Sequence, residues 1–212
     1  PAAMTGELPE IWKLIAGRGS CRHFTDKLVS GPMIETLCSL AMCSPSKSDL
    51  QQRDIILIED AELREKLNTL LTSGPLAQAW IAEAPHLLIF CGNNKRQRQI
   101  HDWRGKPFVN DHLDALFNPA VDAGIALAGF MQAAEAAGLG CCPISAVRND
   151  ASAVSDLLGL PDHVFPVAGL AVGYLAHPAV VSKRLPLAVT VHNNRFAENG
   201  VKSAVERYDA EQ

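Results

Sequence analysis

The sequence AVDAGIALAGFMQAAEAAGLGCCPI, residues 120–144, contains the element around which the chain is expected to fold. Residues 120–139 form the longest helical pattern, and small or apolar side chains lie almost all round this helix. A helix of this composition is expected in the core of a protein or at an interface. We expect Gly140 to end the helix, because glycine is common just past helix ends, and residues 141–144 to form a strand.

Strands and helices alternate on both sides of this segment. Short aliphatic runs predict strands at 55–58, 87–91 and 164–175, and the weak alternation of residues 187–192 predicts an edge strand. Helices are predicted at 9–17, in a segment that starts at Ser30, and at 59–72, 76–84, 150–158 and near 201–208. These elements indicate a single α/β or α+β domain over residues 1–212 and leave the order of the strands open.

Two segments lack a clear secondary-structure period. Residues 93–118 hold much of the basic charge, and we expect them to form a lid or an excursion from the core. Residues 193–212 form a polar C-terminal tail, apart from the helix predicted near 201–208. The pattern leaves open whether this tail packs on its own subunit or on another.

The composition narrows the classes of partner and compartment. A formal net charge of −4 gives no electrostatic reason to expect nucleic acid or an anionic membrane as a partner. The one long uncharged run, Val164–Val181, is interrupted by Pro166 and Pro178 and indicates a buried strand and loop, not a membrane span. Six cysteines without a C-x-x-C spacing favour reduced thiols and a cytoplasmic protein. The seven histidines show no metal-ligand spacing, so no metal is expected.

Four polar clusters lie in the breaks between apolar elements, where binding groups often concentrate. In the first, Arg18 and Arg22 stand four residues apart with Gly19 and Ser20 between them, a set that can surround a phosphate group. The other three are Pro45-Ser46-Lys47-Ser48-Asp49-Leu50-Gln51, Pro143-Ile144-Ser145-Ala146 and Ser182-Lys183-Arg184-Leu185-Pro186. Taken singly, each is more often a solvated turn or an ordinary polar loop. The sequence has no P-loop, dinucleotide fingerprint or nucleophile elbow.

Taken in order, the four clusters resemble the motifs of the nitroreductase family. The matching segments are Arg18–Phe24 (R-x-S-x-R/K-x-F), Ser44–Gln51 (S-P-S-x-x-N-x-Q), Gly138–Ile144 (G-L-G-x-x-P-I), Leu158–Gly173 (L-x-L-P through P-x-x-G-L-x-x-G) and Ser182–Pro186 (K-x-R-L-P). The resemblance extends over residues 10–195, apart from 93–118. The oxygen-insensitive NADPH nitroreductase and flavin reductase subgroup is the most similar.

The resemblance implies an α+β, nitroreductase-like fold, in which helices flank a central, mostly antiparallel sheet and two chains form an intertwined homodimer. It also implies FMN at the subunit interface, with NAD(P)H as co-substrate. The reaction would be ping-pong transfer of two electrons, as hydride, to a nitroaromatic, quinone or flavin acceptor. Because this chemistry takes place on the flavin N5, no catalytic side chain is expected. Two alternatives stay open, an oxidative or dehalogenating member of the family and a non-catalytic FMN-binding protein.

The resemblance also assigns the residues that would hold the cofactor. The phosphate would be bound by Arg18, Ser20 and Arg184. Arg22 would lie towards the ribityl chain and the pyrimidine edge of the flavin. The partner subunit would contribute Pro45, Ser46, Lys47 and Asp49 to the flavin site, and residues 143–146 would lie along the ring near N5. The complete expected set is Arg18, Gly19, Ser20, Arg22, Pro45, Ser46, Lys47, Asp49, Gln78, Pro143, Ile144, Ser145, Ala146, Lys183 and Arg184.

Three departures from the family pattern bear on this assignment. Asp49 stands where the family usually has Asn, and Ser145-Ala146 replaces the usual pair of glycines. Ser182-Lys183 shifts or deletes the first phosphate-binding lysine. The sequence also stops earlier than the longer members of the subgroup, whose additional C-terminal segment helps to hold NADPH. The preference between NADH and NADPH is therefore open.

Overall fold

The structure is a computed structural model, and it describes residues 9–73, 78–198 and 200–210. The chain divides between Ala179 and Val180 into two compact units. The helices and strands of the first unit are α1 Glu10–Gly17, α2 Gly31–Met42, β1 Arg53–Leu57, α3 Ala61–Thr72, α4 Trp80–Glu83, β2 His86–Asn93, α5 Lys95–Trp103, α6 Asp114–Ala136, β3 Leu139–Ile144, α7 Ala151–Leu158 and β4 Val164–Tyr174. The second unit contains α8 Leu187–Thr190 and α9 Val201–Ala210.

The four strands of the first unit form one sheet in the order β1-β2-β4-β3. Each neighbouring pair is antiparallel, with Ile89 opposite Gly169 between β2 and β4 and Pro143 opposite Leu170 between β3 and β4. The proline is tolerated because β3 lies at the edge of the sheet, where one side of the strand makes no ladder hydrogen bonds. The expected α+β fold with a mostly antiparallel sheet is therefore confirmed.

Both faces of the sheet are buried under helices. Leu88 and Phe90 point to the face covered by α2 and α6, where Phe90 packs edge-to-face on Phe130 with ring centroids 6.0 Å apart. Leu87 and Ile89 point to the opposite face, which α3, α4 and α7 cover. Successive side chains of a strand face opposite sides, so a strand buried on both sides has an unbroken apolar sequence.

The helix predicted at 120–139 begins and ends earlier than expected. It starts at Asp114, contains Pro119 and ends at Ala136. The prediction that Gly140 ends it was wrong, because the chain turns at Gly138, whose φ of 79° lies in the left-handed region that favours glycine. Gly140 instead lies within β3.

Residues 93–118, in which the sequence shows no clear period, contain α5 and the start of α6. Gln97 is the buried residue of α5, so an apolar pattern could not reveal that helix. The role of residues 93–118 as a lid or an excursion stays a prediction. The strand predicted at 187–192 is wrong, because Leu187–Thr190 form a helical turn after Pro186. Of the helix predicted at 76–84, residues 76 and 77 lie outside the described residues. Within the described part of the chain, none of the helices combines the length and apolarity that a membrane crossing requires.

Candidate functional site

The first polar cluster lies against the edge strand β3. The backbone N–H of Cys21 donates to the carbonyl oxygen of Cys141 at 3.0 Å, and Phe24 forms a β-bridge with Leu175. A Cβ on Gly140 would lie 2.6 Å from the Cβ of Cys21, closer than real contacts allow. Glycine at position 140 therefore lets the segment that contains Ser20 and Arg22 run directly along the strand.

Arg18 is partly buried and only partly paired. Its Nε donates to Glu135 Oε1 at 3.0 Å and to Oε2 at 3.3 Å. Its Nη2 is buried and has no hydrogen-bond partner among the described residues. A cavity of about 340 Å³ adjoins this group and is lined, among others, by Gly19, Gly138 and Gly140. Buried N–H groups of a cation are costly when unpaired, so this corner suits an anion such as phosphate.

Ser20, Arg22 and Gln78 lie near the end of the same edge strand. Burial raises the pKa of Cys142, while the charge of Arg22 and a hydrogen bond with Ser20 lower it, which places both residues beside Cys142. The guanidinium of Arg22 lies 5.9 Å from the centre of the Trp80 ring. Trp80 Nε1 donates to Gln78 Oε1 at 2.9 Å. The structure thus brings Gln78 into the neighbourhood of the first cluster.

Residues 143–146 lie at the end of β3 and just after it, and every second side chain among them is exposed. Pro143 and Ser145 are exposed, whereas Ile144 and Ala146 are buried in the core. The carbonyl oxygen of Ser145 accepts the N–H of Arg148 at 3.0 Å in a short 3-10 turn. A flat molecule at this place could therefore contact backbone and two small exposed side chains.

A fully buried carboxylate, Asp122 of α6, holds the loop that contains Pro45, Ser46, Lys47 and Asp49. Asp122 Oδ1 accepts the N–H of Lys47 at 2.9 Å, and Oδ2 accepts the N–H of Gln52 at 3.0 Å. The loop includes three non-glycine residues with positive φ, at 47° for Ser48, 57° for Asp49 and 51° for Gln51. Such conformations are strained and persist where surrounding contacts fix them.

Arg53, at the start of β1, fixes the same loop from a second direction. Its buried guanidinium donates to the carbonyl oxygens of Met42 at 2.8 Å, Ser44 at 2.7 Å and Pro45 at 3.2 Å. Neither Arg53 nor Asp122 was predicted from the sequence. The available signal was one of the two carboxylates in the predicted helix 120–139, and an arginine at the start of a buried strand.

The loop and the first cluster are anchored at different places along α6 within one chain. The loop is bonded to Asp122 and Arg18 is bonded to Glu135, 13 residues further along the helix. At 1.5 Å per residue, these two anchor points are about 20 Å apart. One chain therefore brings together Arg18, Ser20, Arg22, Gln78 and residues 143–146, and keeps the loop apart from them.

Lys183 and Arg184 belong to the second unit. Arg184 Nη1 donates to the carbonyl oxygens of Ser182 at 2.9 Å and Lys183 at 3.0 Å. Both basic residues line a cavity of about 660 Å³ with Thr190 and with Tyr208 of α9. Their convergence with Arg18 on one phosphate stays a prediction.

Comparison with known proteins gives a consistent result. The model of the nitroreductase family matches residues 15–174. The chain is 32% identical over 205 residues to FMN reductase [NAD(P)H] of Bacillus subtilis, covering 94% of this chain and 80% of that protein. It is 35% identical over 198 residues to the oxygen-insensitive NADPH nitroreductase of Salmonella typhimurium, covering 93% and 78%. The solved structure of B. megaterium NfrA2 superposes with a TM-score of 0.89 and 36% identity, covering 96% of this chain and 81% of that one.

Proposed function

The chain belongs to the nitroreductase family, and on this premise we propose that it is an FMN-dependent oxidoreductase that transfers two electrons from NAD(P)H to a small-molecule acceptor. The observation that carries the proposal is the buried Nη2 of Arg18, which has no hydrogen-bond partner among the described residues and lies beside a cavity lined by four glycines. Relatives over most of the chain's length are named FMN reductase and NADPH nitroreductase, which supports the same cofactor and co-substrate.

The residues near this corner fit FMN. Arg18 and Ser20 would bind its phosphate together with Arg184, because arginine recognises phosphate through paired N–H groups. The backbone of residues 143–146 would support the flat ring. When bound, FMN supplies hydride chemistry at its N5 atom, and the protein supplies binding, orientation and charge.

Charged side chains around the ring would set its ease of reduction. Arg22 and Lys47 are positive and would favour negative charge that develops on the flavin during reduction. Asp49, which replaces the family's usual asparagine, is exposed and would oppose it. The balance between Asp49 and the two cations would therefore influence the flavin potential.

Both halves of the site meet in a homodimer, in which residues 45–49 of the partner reach the flavin. Within one chain the loop is anchored about 20 Å along α6 from the anchor of Arg18, so the loop of a second chain is the one proposed to contact the flavin. Apolar side chains stand exposed on α1 and α6, as expected of a surface that a second copy covers. They are Ile11, Trp12, Leu14, Ile15, Leu116, Phe117, Val121 and Ile125. Light scattering of the flavin-loaded protein should give twice the chain mass; an active, flavin-loaded monomer would contradict the dimer.

A nitroaromatic, quinone or free flavin is the proposed acceptor, because a site shared between two subunits presents an open flavin face to molecules of varied shape.

The cytoplasm is the proposed compartment, since all six cysteines are free thiols, as a reducing environment allows.

The deciding experiment is an absorbance spectrum of the purified protein, followed by anaerobic titration with NADH and with NADPH. We expect a yellow protein that releases FMN and not FAD on denaturation, and whose flavin band is bleached by at least one of the two nucleotides. With a nitroaromatic acceptor, double-reciprocal plots should give parallel lines. A protein that takes up no FMN would overturn the proposal. A flavin bleached by neither nucleotide would assign the chain to oxidative, dehalogenating or non-catalytic FMN binding.

A further inference from the structure

Glu135 lies outside the sequence motifs and is nevertheless the acidic partner of Arg18. Its carboxylate receives the Nε hydrogen bond on both oxygens, at 3.0 and 3.3 Å. Both side chains are largely withdrawn from solvent, with 25% of Arg18 and 13% of Glu135 exposed. We propose that Glu135 is a positioning residue, which holds the Arg18 guanidinium so that its remaining N–H groups face the phosphate of FMN. This inference rests on the proposed function.

The place of Glu135 in α6 is not explained by helix stability. The residue is in the last turn, where the helix dipole favours cations and disfavours carboxylates. The helix ends at once afterwards, through the turn in which the N–H of Gly138 donates to the Glu135 carbonyl oxygen at 3.1 Å. An acid at this position is favourable chiefly because Arg18 neutralises it. The two side chains therefore depend on each other.

The hydrogen-bond geometry of the Arg18–Glu135 pair indicates that Arg18 also binds a third group. A carboxylate that simply neutralises arginine often binds side-on, with one oxygen on each of two nitrogens. Here both oxygens of Glu135 are used on Nε, and the buried Nη2 of Arg18 keeps no partner among the described residues. Glu135 therefore fixes the guanidinium through Nε and leaves the N–H groups of Nη2 ready for another anion.

Glu135 also carries a negative charge, which by itself repels phosphate. The two effects are separable by substitution, because Glu135→Gln removes the charge and keeps an oxygen that can accept the Nε bond. Glu135→Asp keeps the charge and withdraws the oxygens by one methylene. Positioning predicts that the shorter side chain weakens FMN binding and that the amide does not.

The test is a flavin-binding titration of the cofactor-stripped, full-length protein, with FMN and with riboflavin, which lacks the phosphate. In Glu135→Ala and Glu135→Asp, FMN affinity should fall about tenfold or more, as for a lost charge-assisted hydrogen bond. Riboflavin affinity should stay unchanged in both. In Glu135→Gln, FMN affinity should stay within about threefold of the unsubstituted protein. Glu62→Ala is the control, since Glu62 is an exposed acid of α3 outside this cavity that pairs with Lys66 at 2.5 Å. Its affinities for FMN and riboflavin should not change.

Three results would overturn the inference. One is an equal loss of FMN and riboflavin affinity in Glu135→Ala, which would make the residue merely structural. Another is tighter FMN binding by both the Ala and Gln variants, which would make it a competitor of the phosphate. The third is unchanged FMN affinity in Glu135→Asp, and this variant decides the matter if the alanine variant does not fold. An unsubstituted protein that binds neither flavin would instead remove the proposed function, so the two failures are distinguishable.

Discussion

Replacing the buried Asp122 by alanine should destabilise the protein and release the loop of residues 45–49. The carboxylate accepts two backbone N–H groups, from Lys47 at 2.9 Å and from Gln52 at 3.0 Å. The N–H of Gln52 belongs to a buried residue and would lose its partner where little water can replace it. The loop would then no longer be held at α6, and the strained conformations of Ser48 and Asp49 could relax.

The size of the effect follows from these contacts. A hydrogen bond to a charged group contributes about 1.5–3 kcal/mol, so two of them amount to about 3–6 kcal/mol. Arg53 still holds the carbonyl oxygens of Ser44 and Pro45 in this variant, so relaxation of the strained backbone returns only part of this, about 1–2 kcal/mol. A net loss of about 3 kcal/mol is therefore expected, against a typical total stability of about 5–15 kcal/mol. For a chain of this size, Tm should fall by about 6–12 °C. Asp122→Asn keeps one acceptor and should lose about half as much.

Thermal unfolding followed by circular dichroism, on cofactor-free protein, measures this change. Asp156→Asn is the matched control, because Asp156 is an exposed aspartate on α7, and its Tm should not move. FMN retention should also fall in the Asp122 variants if the loop contacts the flavin of the partner subunit. A Tm for Asp122→Ala within about 2 °C of the unsubstituted protein would refute the reasoning, since two lost charged hydrogen bonds cannot be so small.

Three further predictions concern packing, pH and the cofactor phosphate. Gly140→Ala would place a Cβ 2.6 Å from a neighbouring side chain, so FMN affinity should fall, while Gly31→Ala, which meets no atom within 4 Å, should leave it unchanged in the same titration. His86 Nε2 accepts the N–H of Val29 at 3.1 Å, and burial holds the pKa of His86 below its ordinary value of 6.5. The unfolded chain therefore takes up the proton first, and Tm should decline as pH falls below about 6.5; His86→Gln should flatten this slope, and an unchanged slope would exclude the histidine as its source. Arg184→Ala should weaken FMN binding by about tenfold, and an unaltered dissociation constant would remove Arg184 from the phosphate site.

The strands could be predicted from the sequence because a strand that is buried on both faces has an uninterrupted apolar sequence. β2 and β4 are apolar at successive positions, which is typical of strands covered on both sides. The helix α5 has no such apolar pattern, because it is held mainly by polar contacts. Arg96 and Arg98 pair with Asp54 and Asp111, 42 and 13 positions away in sequence. Partners at such separations are not visible to a local pattern.

The same physical reason separates the predicted from the missed site residues. Arg18, Ser20 and residues 143–146 were predicted through short motifs, in which neighbouring residues serve one ligand. Glu135 was missed because its partner, Arg18, is 117 positions away. Asp122 was missed because its partners are backbone N–H groups, which any sequence provides. Residues that hold a site in place are therefore harder to predict than the residues that contact the ligand.

Helix α6 then has a larger role than burying apolar surface. Its two buried or nearly buried acids, Asp122 and Glu135, each anchor one of the two clusters assigned to the flavin. A helix is a stiff element, so the spacing between these anchors is fixed by the 13 residues that separate them. The small side chains along α6 let it pack closely; at Gly129, for example, a Cβ would meet Ser44 Oγ at 2.3 Å. Asp122→Asn should thus loosen the loop of residues 45–49 without touching Arg18, and Glu135→Asp should act on Arg18 alone, so the two variants separate the contributions of the two clusters to FMN binding.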